Sequence, residues 1–192
     1  FLLFLCAVIK AVDEYQDLMR ISVASAGNDH RLGANEAPPA IVSMFIGDEL
    51  EEVVEAVEAG NGISDKIASS MDLGVEVLPS FRKDTTDRNR TSPFAFTGNK
   101  FEFRMLGSQA SVANANIVLN TAVADELDQF TAELEKAEDF DAALLSLMQR
   151  VIKEHKRIIF NGNNYSDEWV EEAQRRGLLN LKTTADAIPL MA

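Results

Sequence analysis

Apolar residues with helical spacing are concentrated at the beginning of the chain and in its second half. Residues 1–20 form an apolar, periodic segment that predicts a buried helix. A second apolar stripe repeats at steps of three and four residues: Leu119, Val123, Leu127, Phe130 and Leu134. A third runs from Leu144 to Ile159 and includes His155, which we interpret as a structural histidine. The stripes predict long helices with ordinary core-facing sides.

Shorter elements separate these helices. Residues 22–40 are small and polar and contain Pro38 and Pro39, which favours a strand followed by a loop. Asp48 with Glu51 three residues later has the spacing of a capping box, and the helix it predicts ends near Gly60.

Further along, we expect a short helix at 63–73, a short strand at 75–78 and a polar, basic loop at 81–99. After a polar turn, Ser166 can cap a last helix that stops at Gly177.

The clearest strand is predicted at residues 100–106. Side chains alternate between the two faces of a strand, so Lys100, Glu102 and Arg104 share one face. The opposite face is apolar and carries Phe101, Phe103 and Met105. With strands in the first half and helices in the second, the predicted fold class is α+β.

Composition narrows the class of protein. The chain has 192 residues, a formal net charge of −13 and 46% apolar residues, which is typical of a folded domain. An acidic chain of this kind is not expected to bind nucleic acid or an anionic membrane. The single cysteine, Cys6, excludes an internal disulfide framework and fits a reducing compartment, so we expect a cytoplasmic location.

The chain opens with Phe1 inside an apolar run that reaches Ile9. The run lacks the basic leader and the cleavage site of a signal peptide, and it is shorter than the ~20 residues of a membrane span. We therefore expect residues 1–20 to be a truncated buried helix, and the chain to be part of a longer protein.

Charge is unevenly distributed. Residues 48–80 carry nine acidic residues and one basic residue, whereas residues 81–104 carry six basic and three acidic ones. A basic stretch in an acidic protein can form a site for an anion, although a solvated basic loop is an equally simple interpretation. This stretch has neither a Gly-Lys-Ser/Thr phosphate-binding loop nor a Gly-x-Gly-x-x-Gly fingerprint, and we find no Ser/His/Asp signature.

Two other segments carry candidate chemistry. In the loop from Gly27 to Pro39, Arg31 could clamp a carboxylate, and Glu36 could act as a base or attract a cation. On the predicted strand, Glu102 could bind a metal while Lys100 and Arg104 contact phosphate or carboxylate groups beside it. The alternatives are a surface loop and an amphipathic strand with a wet outer face.

Three motifs in this order resemble the C-terminal half of the catalytic domain of glutamine synthetases, in the type III version of that family. They are Arg31-Leu32 followed by Glu36-Ala37-Pro38, then Asn89-Arg90-Thr91-Ser92, then Glu102-Phe103-Arg104. The resemblance implies part of an antiparallel catalytic sheet with helices. Residues 1–110 would belong to the catalytic domain, with an insertion at about 48–80, and residues 111–192 would form its helical C-terminal part.

The resemblance also implies roles for single residues. Arg31 matches the arginine that holds the substrate glutamate, and Glu36 matches the flap glutamate that takes a proton from ammonium. Arg90 matches an arginine that contacts the nucleotide phosphates, and Lys100 stands where the family usually has a nucleotide-contacting arginine. Glu102 matches a ligand of the divalent metal.

Arg104 matches the arginine near the transferred phosphoryl group and glutamate. One departure is clear, because the family usually has a second arginine five residues after Arg90, and this chain has Ala95 there. Arg88 or Arg82 could substitute for it.

The implied reaction is the ATP-dependent ligation of ammonia to glutamate through a γ-glutamyl phosphate, with Mg²⁺ or Mn²⁺. The implied assembly is a ring-shaped homo-oligomer. Two alternatives remain open: a related carboxylate–amine ligase or guanidino kinase of the same fold, and a non-catalytic paralogue. Retention of Glu36, Glu102 and Arg104 counts against the second.

Overall fold

A computed structural model describes residues 1–34, 36–60 and 91–191 of the chain. The expected helix at 63–73, the expected strand at 75–78 and the Asn89-Arg90 pair lie outside the described residues. The described part combines helices with a small three-stranded sheet, and its second half is helical, as the sequence predicts.

The elements follow in chain order. The helices are α1 (Leu2–Glu14), α2 (Gln16–Ser22), α3 (Ala26–Arg31), α4 (Asp48–Glu58), α5 (Val112–Leu134), α6 (Phe140–His155), α7 (Asp167–Arg175) and α8 (Thr184–Ala187). The strands are β1 (Met44–Phe45), β2 (Phe94–Phe96) and β3 (Phe101–Phe103). Two 3₁₀ turns, Lys156–Ile158 and Ile188–Met191, follow α6 and α8.

Helix α1 forms the centre of the core. Its buried side chains include Leu5, Val8 and Ile9, and it packs against both α5 and α6. The predicted single helix over 1–20 is interrupted at Tyr15. At this break the Gln16 side-chain amide donates to the Asp13 carbonyl at 2.8 Å, a local bond that the apolar pattern does not encode.

A polar cluster around the buried Asp13 carboxylate joins the end of α1 to the end of α6. The Asp13 carboxylate lies 2.8 Å from His155 Nδ1 and accepts from Arg157 Nε at 2.8 Å and from Gln16 Nε2 at 3.2 Å. His155 therefore has the structural surroundings that the sequence interpretation expected. Because the Asp13 side chain is only 2% exposed, these partners replace the water that it loses on folding.

The strand and loop expected at 22–40 are wrong in part. Ser25 accepts a hydrogen bond from the Asn28 amide at 3.2 Å and caps α3, so this segment is helical up to Arg31. The only pairing that follows within the described part of this segment is a single bridge between Leu32 and Ala37. A serine followed by small residues is compatible with a helix cap or a turn, and here Ser25 caps the helix α3.

The beginning of α4 also differs from the expectation. The cap residue is Gly47, with φ of 82°, and it makes no side-chain hydrogen bond, so the predicted capping box is absent. Instead Glu51 accepts from Asn161 Nδ2 at 2.7 Å, and Asn161 Oδ1 accepts from the Gly47 amide at 2.9 Å. Asn161, which is distant in the chain, thus supplies the hydrogen bonds at the beginning of α4.

The sheet has the order β1-β2-β3. Strands β2 and β3 are antiparallel, as expected, but β1 and β2 are parallel, so the sheet is mixed rather than antiparallel. β2 lies inside the segment expected to be a loop, and β3 is shorter than the predicted strand over 100–106. Strand β2 is apolar at every position, so its partners and not its own pattern decide its conformation.

The two faces of the sheet differ in the predicted way. Phe101 and Phe103 pack against the core, and the Phe101 ring lies 6.2 Å from that of Phe4 in α1. Glu102 lies on the other face, opposite Ala95 of β2. The sheet therefore turns its phenylalanines towards helix α1 and its charged row away from it.

The helical second half largely follows its apolar stripes. Ser166 caps α7 by accepting from the Trp169 amide at 3.2 Å, and Gly177, with φ of 73°, follows its end. This is not the last helix, because α8 follows with a capping box between Thr183 and Asp186. Within the described ranges, no helix combines the length and the apolar character that a membrane crossing needs.

Candidate functional site

One cavity of about 540 Å³ gathers residues from four separate parts of the chain. The end of α3 and the segment after it contribute Arg31, Leu32, Glu36, Ala37 and Pro38, and the approach to β2 contributes Ser92 and Pro93. Strand β3 and its continuation contribute Glu102, Arg104 and Met105, and the turn before α7 contributes Tyr165. Four candidate residues from the sequence, Arg31, Glu36, Glu102 and Arg104, thus line the same cavity.

Three hydrogen bonds hold the Arg31 side chain in place. Its Nε donates to Asn28 Oδ1 at 3.0 Å, and its Nη2 donates to the carbonyls of Met105 and Leu106 at 2.8 and 3.1 Å. Asn28 is itself buried and donates to the Met105 carbonyl at 2.9 Å. These bonds use one edge of the guanidinium and tie helix α3 to the end of the β3 segment.

Glu36 is exposed on the loop between Gly33 and Pro38. The loop is closed at its base, because the Gly33 amide donates to the carbonyls of Ala37 at 3.2 Å and Pro38 at 3.0 Å. Gly33 has φ of 78°, which favours glycine at this turn. The glutamate therefore stands at the tip of a short, closed loop beside the cavity.

Glu102 lies between two cations on β3. Lys100 Nζ is 3.1 Å from Glu102 Oε1, and Arg104 Nη2 is 3.0 Å from Glu102 Oε2. The hydrogen bonds from Lys100 and then from Arg104 hold the pKa of the Glu102 carboxyl below its usual value, so it is ionised near neutral pH. A carboxylate in this state can accept a metal ion or orient an arginine.

Lys100 does not line the cavity. Its side chain is 65% exposed, and its Nζ forms an ion pair with Glu102. Arg90 lies outside the described residues, so its predicted role stays a prediction. Ala95, which stands where the family usually has an arginine, is completely buried in β2.

The residues that could hold a divalent metal are few. Within the part of the chain that the structure describes, no group of three or more His, Cys, Asp and Glu side chains could hold a metal ion. Glu102 fits as one oxygen ligand, since Mg²⁺ binds few protein carboxylates and keeps other oxygen ligands.

Sequence reasoning did not single out Tyr165 as a wall residue of the cavity, whereas Ser92 ends the Asn89-Arg90-Thr91-Ser92 motif and Pro93 follows it. Tyr165 follows the polar turn at Asn161–Asn164, but nothing in its neighbourhood marks a site.

Comparison with known proteins gives a consistent result. Residues 143–192 match the family model described as the glutamine synthetase C-terminal domain. A glutamine synthetase of Butyrivibrio fibrisolvens is 50% identical over 98% of this chain, and the type-3 glutamine synthetase of Dictyostelium discoideum is 49% identical over 98% of it. A glutamine synthetase of Bacteroides fragilis is 45% identical over the same share.

These relatives are much longer than this chain. The chain spans 27% of the Butyrivibrio protein, 26% of the Dictyostelium protein and 27% of the Bacteroides protein. The alignments extend over nearly all of this chain's residues. Along nearly its whole length, the chain is therefore similar to about a quarter of a glutamine synthetase.

Proposed function

We propose that this chain forms part of an enzyme that ligates ammonia to L-glutamate with ATP, through a γ-glutamyl phosphate. The observation that carries the proposal is the meeting of Arg31, Glu36, Glu102 and Arg104 at one cavity of about 540 Å³. Two cations and two carboxylates around one space suit a reaction in which anionic groups are brought together and a proton is removed from an amine.

Arg31 is proposed to bind a carboxylate of glutamate. Its Nε and Nη2 are occupied by Asn28, Met105 and Leu106, so the guanidinium is held in one orientation before substrate arrives. A fixed, planar donor suits a carboxylate better than a mobile lysine does, because less side-chain freedom is lost on binding.

Arg104 is proposed to act near the transferred phosphoryl group. Its side chain is 15% exposed and bonds to Glu102, which keeps the guanidinium at the cavity wall. A preorganised arginine stabilises charge that develops on phosphoryl oxygens, and the protein's contribution to such transfers is mainly positioning and charge.

Glu102 is proposed as a ligand of Mg²⁺ or Mn²⁺. A divalent ion at this place would neutralise nucleotide phosphates and polarise the transferred phosphoryl group. This chain's own contribution is an ionised carboxylate whose pKa is lowered by Lys100 and Arg104. Arg90 and Lys100 are proposed to contact the nucleotide.

Glu36 is proposed to take a proton from ammonium and to close the cavity against water. Glu36 is exposed, and the loop that carries it is hydrogen-bonded at its base and followed by Pro38. This position fits a carboxylate that approaches bound substrate rather than one that holds metal. Excluding water protects an acyl phosphate from hydrolysis. A ring-shaped homo-oligomer and a cytoplasmic location belong to the same proposal.

The test is an assay of a polypeptide of the relatives' length that contains this chain. ATP hydrolysis and glutamine formation are measured with glutamate and ammonium, each omitted in turn. We expect both to require both substrates. Activity with another carboxylate and amine, or phosphorylation of a guanidino compound, would replace this proposal with the related ligase or kinase. No catalysis with intact binding would indicate a non-catalytic paralogue.

A matched assay uses the 192-residue chain alone. Its described residues contain no group of three or more His, Cys, Asp and Glu side chains that could hold a metal ion, so we expect it to form no glutamine. Glutamine formation by the purified chain would show that the site needs no further residues.

A further inference from the structure

The turn that precedes α7 reaches the cavity although it belongs to the helical half of the chain. Tyr165 is the one described lining residue that comes after β3 and its continuation. Its side chain is 40% exposed, and its hydroxyl makes no hydrogen bond within the described residues. An aromatic ring with an available hydroxyl therefore faces a space lined by Arg31 and Arg104.

The backbone at Tyr165 is held firmly. The Asn163 side chain accepts from the Tyr165 amide at 3.0 Å, and the Ser166 amide donates to the Asn163 carbonyl at 3.2 Å. Ser166 then caps α7. The position of the exposed tyrosine is thus fixed by bonds on both sides of it along the chain.

The neighbouring Asn164 links this turn to the sheet. It is 1% exposed, its Nδ2 donates to Ser43 Oγ at 2.8 Å, and its Oδ1 lies 3.4 Å from the Ser92 hydroxyl. Ser43 directly precedes β1, and Ser92 lines the cavity. One buried side chain therefore connects the tyrosine turn, the start of β1 and a second part of the cavity wall.

We infer that Tyr165 contacts bound substrate by donating its hydroxyl to an anionic oxygen, and that Asn164 is the positioning residue that holds Tyr165 and Ser92 against the cavity. The inference rests on the proposed function for the identity of the substrates. The shared ligand chemistry is an anionic oxygen, supplied by the carboxylate of glutamate or by a phosphate of ATP. Arg31 and Arg104 supply positive charge to this oxygen. The Tyr165 phenol supplies one directional hydrogen bond and an aromatic ring that displaces water.

The test compares Tyr165→Phe, Tyr165→Ala and Asn164→Ala in the full-length protein. KM values for glutamate, ATP and ammonium are measured separately from kcat. Loss of one hydrogen bond to a charged group should raise the KM of the contacted substrate by roughly tenfold. A rise for glutamate alone identifies the carboxylate as the contact, and a rise for ATP alone identifies the phosphate.

Tyr15 provides a matched control. Its hydroxyl donates to Asp125 at 2.7 Å, away from the cavity, so Tyr15→Phe removes a tyrosine hydroxyl without touching the site. We expect all three KM values of this control to stay within twofold of the parent. If Tyr165→Phe behaves like Tyr15→Phe, the proposed contact does not exist.

A double-mutant cycle separates positioning from general stability. If Asn164 acts through Tyr165, the KM effect of Asn164→Ala should largely disappear in a background that already carries Tyr165→Phe. If the effects of Asn164→Ala and Tyr165→Phe on KM are independent and multiply in the double variant, Asn164 does not act through Tyr165. If Asn164→Ala does not fold, Ser43→Ala removes the Asn164 acceptor alone and is used in the same cycle.

Failure of the proposed function is distinguishable from failure of this inference. If the parent forms no glutamine, calorimetric titration with glutamate and with inorganic pyrophosphate is carried out on the parent and on Tyr165→Phe. Weaker binding by the variant supports the contact, and equal binding by both overturns it.

Discussion

Arg31 and Met105, which are 74 residues apart in the chain, are joined by a hydrogen bond of 2.8 Å from the Arg31 Nη2 to the Met105 carbonyl. Asn28 donates to the same carbonyl at 2.9 Å. The candidate substrate-binding arginine is therefore also a structural link between α3 and the β3 segment. Changes at this residue should affect stability and substrate binding together.

Arg31→Lys should lower the free energy of unfolding by about 1–3 kcal/mol, because a single ammonium cannot replace bonds to Asn28, Met105 and Leu106 at once. Urea unfolding measures this difference. Arg175→Lys is the control, since the Arg175 side chain is 78% exposed and should change stability little. Equal stability of both variants would show that the Arg31 bonds are not maintained in solution.

Lys100→Ala should raise the pKa of Glu102 towards its ordinary value, because Lys100 supplies the first of the two bonds that lower it. A lowered pKa in the folded state stabilises the protein above the ordinary carboxyl pKa, and this contribution is lost as the pH falls through the folded value. The variant should therefore lose less stability on acidification than the parent.

The measurement is an NMR titration of the Glu102 side-chain carboxyl, with thermal unfolding followed over the same acidic range. Lys136→Ala, a lysine on the turn after α5, serves as a control for the change in net charge. An unchanged Glu102 titration in Lys100→Ala would mean that Arg104 alone sets its pKa.

Glu36→Ala should impair glutamine formation more than phosphate release in the full-length protein. The loop position of Glu36 suits a base and a cover, and loss of a general base costs on the order of 10²–10⁴-fold in rate. Glu102→Ala should impair both steps, since it removes the proposed metal ligand and the partner of Arg104. Both products are measured side by side at several metal concentrations. Equal loss of both steps in Glu36→Ala, together with weaker metal binding, would make Glu36 a metal ligand.

Asp13→Ala should destabilise the fold by about 1–3 kcal/mol, because it removes the buried carboxylate that bonds to His155 and Arg157. Asp128→Ala, an exposed change on α5, is the control and should be nearly neutral. In an assay of the full-length protein at a temperature where both fold, neither change should alter the KM for glutamate. A raised KM in Asp13→Ala would connect this cluster to the site.

The local sequence was sufficient to predict the helices and the strand that pack one apolar face against the core. The apolar stripes of α5 and α6 and the alternation at Phe101–Phe103 each repeat with the period of a single structure. Periodicity determines such elements because a helix or a strand can bury a continuous face in only one way. Arg31, Glu36, Glu102 and Arg104 were also candidates from the sequence, through the order of their motifs and a resemblance, and the structure places all four at one cavity.

Only the tertiary structure decided which distant groups meet. Gly47 replaced Asp48 as the cap of α4 because Asn161, more than one hundred residues away, accepts from its amide. Likewise β1 pairs in parallel with β2, and Asn164, which precedes Tyr165, donates to the Ser43 hydroxyl just before β1. These arrangements rest on hydrogen bonds between segments far apart in the chain, where local patterns are compatible with several partners and packing of the whole core selects one.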